Sequence, residues 1–284
     1  MFADAPPGRL HPIVGDLTSP VLALSGTELP EVDHVIHLAA IYDMTADAEA
    51  QQRANVDGTA RVVDFAVEHD AMLHHVSSIA VAGDHAGAFT EDDFDLGQGF
   101  PTPYHRTKYE AEKLVREREG LRWRVYRPSV VVGDSRTGQM DKVDGPYYFF
   151  PRLALLGLLP PGIPVPMPDL GRLNLVPVDF VAQSIATLVD DEPERVGEVF
   201  HLGDSRDRGV IGMYNALAPA IGSPKGVGVV SNRIVAPAIA LTGFGPLRPF
   251  RDLVASQEGI PPTLLDGMRM TADFRATRTL ARLS

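Results

Sequence analysis

Short runs of apolar, β-branched residues alternate with longer helical patterns along most of this chain. That alternation confines it to an α/β fold, a parallel sheet covered on both faces by helices. Residues 34–40 (HVIHLAA) read as a buried strand. Residues 48–69 read as a helix, with Val56, Ala60, Val63 and Val67 returning to one face. Strands are expected over 73–81, 123–132 and 199–202, and helices over 104–119 and 178–190. Ligands of such sheets bind beyond the carboxyl ends of the strands. Residues 157–171 hold five Pro and three Gly, and a loop is expected there. Beyond residue 225 the pattern predicts no clear strand, only short helices over 234–242 and 263–270.

Composition narrows the class. With 284 residues, the chain is one large domain or two small ones. Hydrophobic residues at 44% and charged residues at 22% exclude a disordered chain. The 26 basic and 37 acidic side chains leave a net charge of −11, which argues against nucleic acid as a partner. Cysteine is absent, so no disulfide, thiolate nucleophile or Cys-ligated metal is possible. The nine histidines show no HExxH or i,i+4 pair, and no metal is expected. No run approaches the 18 apolar residues of a membrane span, and the first residues lack a signal-peptide pattern. A cytoplasmic location is expected.

Candidate chemistry gathers around Tyr104 and Lys108. At the start of a helix, residues i and i+4 share a face, so phenol and ammonium can enter one pocket. A nearby cation lowers a phenol's pKa from its usual value of about 10, making it a usable proton donor. Ser77 and Ser78 lie at a strand end, Asn55 in the preceding helix, and Pro128 at the end of the following strand. Singly, each has a plain reading: a surface helix pair, a turn serine, polar surface, an edge proline. Elsewhere, His74-His75 reads as a strand entry, Asp179 as a helix cap, and Asp92-Asp93 and Asp190-Asp191-Glu192 as solvated turns. Thr242-Gly243-Phe244-Gly245 reads as a loop. Tyr147-Tyr148-Phe149-Phe150, with Leu153, Leu155, Leu156, Leu158 and Leu159, suits an acyl channel, packing between two lobes, or a surface-dipping segment.

Together, the pieces resemble the extended short-chain dehydrogenase/reductase superfamily in order and spacing. They are Gly15-Asp16-Leu17-Thr18, His37-Leu38-Ala39-Ala40, Asn55-Val56-x-Gly58-Thr59, Ser77-Ser78, Tyr104-xxx-Lys108 and Arg127-Pro128-Ser129. Tyr42-Asp43-Met44, residues 131–138, 140–150 and 175–180 resemble the thioester and fatty acyl-CoA reductases of the "male sterility" branch, to about residue 275. The resemblance implies an NAD(P)H-dependent reductase of fatty acyl thioesters, giving aldehyde or alcohol, with NADP as cofactor and NAD the alternative. It implies Tyr104 as proton donor, Lys108 as its pKa-lowering partner and ribose ligand, Ser78 on the substrate oxygen, and Asn55 supporting the lysine through a water. It implies Asp16 and Leu17 around the adenine, Ala39 and Ala40 at the cofactor backbone, and Pro128 by the nicotinamide. Other readings are a dehydrogenase or epimerase acting on a sterol or sugar hydroxyl, or a non-catalytic truncated remnant.

The chain departs from the family in lacking its opening strand and Gly-rich turn, roughly 60 residues. A Rossmann-type sheet without its leading elements is therefore expected, with a smaller C-terminal substrate lobe, an unpaired apolar edge and weak dinucleotide binding. Residues 1–135 would be the partial dinucleotide-binding domain with the catalytic residues. Residues 136–284 would be mainly the substrate lobe, with 176–203 returning to the Rossmann core. A second reductase domain in the full-length protein is a further expectation.

Overall fold

The computed structural model describes residues 8–41, 47–140, 147, 153–154, 156–160, 162, 165–168, 172–192, 194–204, 209–230 and 271–284. At its centre is a parallel sheet of β1 (His34–His37), β2 (Met72–Val76), β4 (Trp123–Pro128) and β8 (Glu198–Leu202), in the order β1-β2-β4-β8. The remaining strands form parallel pairs. β3 (Gly87–Phe89) joins β10 (Ala272–Phe274), β5 (Val130–Val132) joins β7 (Leu175–Pro177), and β6 (Val165–Pro168) joins β9 (Gly226–Val230). The helices are α1 (Ala48–Gln51), α2 (Gly58–Glu68), α3 (Pro103–Glu117), α4 (Val178–Asp190), α5 (Gly209–Leu217) and α6 (Thr277–Leu283). A π-helical turn, Gln52–Asp57, links α1 to α2.

Strand residues alternate between faces, so each helix layer meets its own set. Val62, Val63 and Ala66 of α2 and Val115 of α3 pack with Leu73, Val125 and Val199. Val181, Ile185 and Leu188 of α4 pack with Tyr126, Phe200 and Leu202. Each fully buried Val or Leu contributes about 1.5–3 kcal/mol relative to exposure. The α/β parallel sheet read from the sequence is thus present, and residues 178–190 are helical as expected.

Several boundaries differ. The strand expected over 34–40 ends at His37, and the one expected over 73–81 ends at Val76. Residues Ile79–Ala82 form a 3₁₀ turn, because the Ser78 hydroxyl accepts from the Ala80 N–H at 3.1 Å and draws the backbone out of the ladder. The strand expected over 123–132 breaks at Ser129, whose N–H bonds to Leu202 O, after which Val130–Val132 turns to β7. The loop expected over 157–171 contains β6, and β9 lies in the region expected to hold no strand. Proline is tolerated on such an edge, while the alternating Val165 and Met167 enter a core with Leu156, Leu159 and Tyr214. Leu156 and Leu159 therefore pack rather than line an open channel, and Leu158 is exposed. Residues 42–44, 141–146, 148–150, Leu155, the helices expected over 234–242 and 263–270, and Thr242–Gly245 lie outside the described residues.

His74 and His75 are not a strand entry. Both lie inside β2 and are buried, His74 between the Tyr126 hydroxyl (2.8 Å) and His34 (3.0 Å). Asp179 is not the cap of α4, which follows Pro177. Its carboxylate accepts from Ser135 N (2.9 Å) and Oγ (2.7 Å) and ties that loop to the helix. Asp92 and Asp191 are paired with Arg278 and Arg282 of α6 rather than merely solvated.

α6 is fastened to the sheet by one buried carboxylate. Glu91 accepts from the N–H groups of His201 (3.2 Å), Arg278 (2.5 Å) and Thr279 (2.9 Å), and from the Thr279 hydroxyl (2.6 Å). Glu91→Ala strands these donors, so we expect a loss of about 3 kcal/mol. Hydrogen exchange should rise across residues 277–283 while β2 stays protected; unchanged exchange there would contradict this role.

Candidate active site

α3 presents Tyr104, Lys108 and Glu112 at four-residue intervals, which stacks them on one helical face. All three are buried, at 8%, 3% and 0% exposure. The helix starts where Thr102 caps it, its hydroxyl accepting from His105 N, with Pro103 in the first turn. The Lys108 ammonium donates to the Val76 carbonyl at the carboxyl end of β2 (2.9 Å). Burial holds the Lys108 pKa down at about 8, with Glu112 opposing the fall.

Glu112 anchors this face. Its carboxylate accepts from Ser77 Oγ (2.7 Å), Arg116 Nε (2.8 Å), and Arg127 Nη2 (2.7 Å) and Nε (3.1 Å). Burial alone would raise the Glu112 carboxyl; Arg127, Arg116 and the Ser77 hydroxyl outweigh it and hold it at about 2. The two adjacent serines thus divide their tasks. Ser77 braces α3 against β2, while Ser78 sits half-buried at the head of the Ile79–Ala82 turn. Its oxygen accepts the Ala80 N–H, which leaves the hydroxyl proton for another partner. Gly83 closes that turn at φ +54, with Gly99 O only 2.1 Å from where a Cβ would stand.

Asn55, in the π-helical turn, accepts from Ile41 N (2.7 Å) and donates to Ile41 O (3.1 Å) and to Thr107 Oγ1 (3.2 Å). It therefore fixes the segment after β1 against the residue preceding Lys108. Ala39 and Ala40 follow β1 and are exposed. The Asp16–Ser19 loop rests on α2, where Leu17 Cβ lies 3.3 Å from the position a Gly58 Cβ would take. Asp16 is exposed, its carboxylate accepting from Thr18 N, Thr18 Oγ1 and Ser19 Oγ at 2.7–2.8 Å. Pro128 ends β4 beside Leu202. A cavity of about 190 Å³ lies beyond the ends of β4 and β8, lined by Ile79, Ser129, Asn174, Gly203 and Asp204 among others.

Sequence reasoning missed Glu112 and Glu91, and read His37 only as part of the His37–Ala40 run. Glu112 could have been found as a carboxylate four residues beyond Lys108 on a face otherwise closed by Ala111 and Val115. His37 bonds to Thr59 Oγ1 (2.9 Å), and its pKa falls to about 4 through burial and the Lys108 charge. His75 is driven well below its usual range by burial, Lys108 and His37. Both imidazoles are therefore neutral near pH 7.

Residues 3–185 match the family described as Male sterility protein. The chain belongs to this family, an NAD(P)-binding branch of the extended short-chain dehydrogenases/reductases. It is 30% identical over 215 residues to a linear gramicidin synthase of Brevibacillus parabrevis, covering 71% of this chain and 4% of that one. It is 28% identical over 218 residues to the L-2-aminoadipate reductase large subunit of Penicillium chrysogenum, covering 68% and 15%. The terminal R domain of the myxalamid PKS-NRPS pathway superposes with a TM-score of 0.69 at 26% identity, over 95% of this chain and 68% of that one. The chain thus matches only a small part of these two curated relatives. Among the described residues no group of three metal-binding side chains occurs, and no helix is long and apolar enough to cross a membrane.

The residues present fit a nicotinamide dinucleotide at the positions they supply. A carboxylate offers about four acceptor sites; Asp16 fills three within its own loop, so one acceptor site remains. Lys108 has spent one of its ammonium protons on Val76 O, and the alanines after β1 carry no side chain large enough to bar close approach.

Breaking the buried ion pair should be severe. Arg127→Met leaves the Glu112 carboxylate without its main counter-charge, and urea unfolding should show a loss of about 3–5 kcal/mol. In the unaltered chain Glu112 titrates lower folded than unfolded, so its contribution is full above pH 4.5 and fades as pH falls toward 2. An acid titration of stability that stays flat across that window would refute this.

Proposed function

We propose that this chain is a reductase domain that takes an acyl thioester to the aldehyde with NADPH as donor. The observation that carries this is the Lys108 ammonium at the carboxyl end of β2, where Ser78 heads the following turn, with Tyr104 four residues before Lys108 on the same buried helical face, in a chain of the Male sterility protein family. The named relatives support a reductase: an L-2-aminoadipate reductase, and a terminal R domain of a PKS-NRPS biosynthetic pathway. A fatty acyl-CoA is the substrate favoured by the motifs of residues 131–180; a second thioester to try is an acyl group on a pantetheine thiol. In this reading residues 136–284 mainly hold the substrate.

A reduced nicotinamide, when bound, supplies the hydride that adds to the thioester carbonyl carbon. The chain's own residues handle the oxygen. The Tyr104 phenol gives its proton to the developing oxyanion, and the Ser78 hydroxyl, its oxygen already engaged by Ala80, donates a hydrogen bond to it. The Lys108 ammonium beneath favours the phenolate left behind. The hemithioacetal then collapses: its hydroxyl returns the proton to the Tyr104 phenolate, the carbon–sulfur bond breaks, sulfur leaves as a thiolate that takes a proton from solvent, and the aldehyde remains. Asn55 keeps Thr107, and with it the adjacent Lys108, in register with the segment after β1.

Tyr104→Phe should lower kcat about 100-fold or more with the fold retained, because only the proton donor is removed. A near-normal turnover would reject the assignment. NADPH oxidation should be matched by free thiol when palmitoyl-CoA or an acyl-pantetheine is supplied. Oxidation with ketosteroids or nucleotide sugars alone would move the chain to another reaction.

A further inference from the structure

We propose that Glu112 is a positioning residue that sets the charge of the catalytic pair: its buried carboxylate, one turn along α3 from Lys108, keeps that side chain an ammonium beneath Tyr104. The proposal rests on the reading of Tyr104 and Lys108 as the proton-donating pair.

The geometry leaves Lys108 few alternatives. Its ammonium bonds to a neutral carbonyl, Val76 O, and the residue is shielded from solvent, with 3% exposure. The groups that face it are Tyr104 and Glu112 from its own helix, His75 from β2, His37 from β1, and the Arg127 side of the Glu112 pair from β4. The two imidazoles are neutral. Glu112 is the only carboxylate among these groups. A buried cation without a nearby anion sheds its proton, and burial already pulls Lys108 in that direction.

The surroundings of Glu112 sharpen the effect. Arg127 and Arg116 both converge on it, so without its charge three cations share one desolvated region. The same carboxylate takes the Ser77 hydroxyl, next to Ser78. One group thereby fixes the helix carrying the proton donor, the strand end carrying the second oxygen ligand, and the charge between them. A purely mechanical brace would need the hydrogen bonds but not the charge, and this difference can be measured.

The test is Glu112→Gln in the full chain, which keeps the side chain's shape and one carbonyl acceptor. Because coupled groups titrate as a pair, the alkaline limb of kcat is expected to move toward acid by about one pH unit. The ¹³Cε resonance of Lys108, one of only four lysines in the chain, should titrate lower by a similar amount. Glu112→Asp retains the charge and should leave the limb near its original place. If Glu112→Gln does not fold, E112Q/R127M removes the carboxylate with its buried partner and should shift both readouts in the same direction by less. An unmoved Lys108 titration in either folded variant overturns the proposal, even if turnover falls. The lysine resonance needs no turnover, so failure of the Tyr104 assignment, seen as an active Tyr104→Phe, is told apart from failure of the Glu112 assignment.

Discussion

Glu112 and Arg127 meet at 2.7 Å with neither side chain exposed to solvent. Taking either ion out of water costs several kcal/mol, and attraction offsets that only when the remaining hydrogen-bonding groups are also satisfied. Here they are. Arg127 additionally donates to Asp93 O and contacts His201 Nε2, and its guanidinium lies 5.3 Å from the Phe89 ring centre. Glu112 takes Ser77 and Arg116. The pair thus joins α3 to β2, β4 and β8, and the geometry of the candidate site hangs on that junction.

The position of the junction within the sheet explains where chemistry can occur. Parallel strands all end on one edge, and the backbone leaving that edge must find new partners. Ser78 supplies one for the turn after β2, and Asn55 supplies two for the segment after β1. Asn174 does the same beyond β8, bonding to both N and O of Asp204. Polar side chains at strand ends are needed for folding whatever the reaction. The candidate site adds an ammonium at that edge, on the helical face that also carries Tyr104.

Much of this was legible in the residues. Continuous apolar strands separated by helical periods announce a parallel sheet, and the Tyr104–Lys108 interval announces a shared face, because both follow from fixed backbone periods. The order of Asn55, Ser78, Tyr104, Lys108 and Pro128 marked one region. Element ends were less legible. The break at Ser129, the early end at Val76 and the strand within residues 157–171 depend on hydrogen bonds to Leu202, Ala80 and Lys225, partners that no local pattern displays. A proline-rich run reads as a loop until an edge position makes its missing N–H harmless.

By itself, then, the sequence determined the layers, the helix face shared by Tyr104 and Lys108, and the family of the chain, because each rests on short-range spacing or on words of adjacent residues. Only the tertiary structure decided how charge is distributed around that face. Glu112 looks like any helix-surface glutamate beside Arg116, and Arg127 like any strand residue. Their meaning comes from contact across 15 residues of chain in a space without water. Desolvation is a property of the assembled core, so the protonation of Lys108, the different tasks of Ser77 and Ser78, and the neutrality of His37 and His75 could be fixed only when the sheet and its helices closed around them.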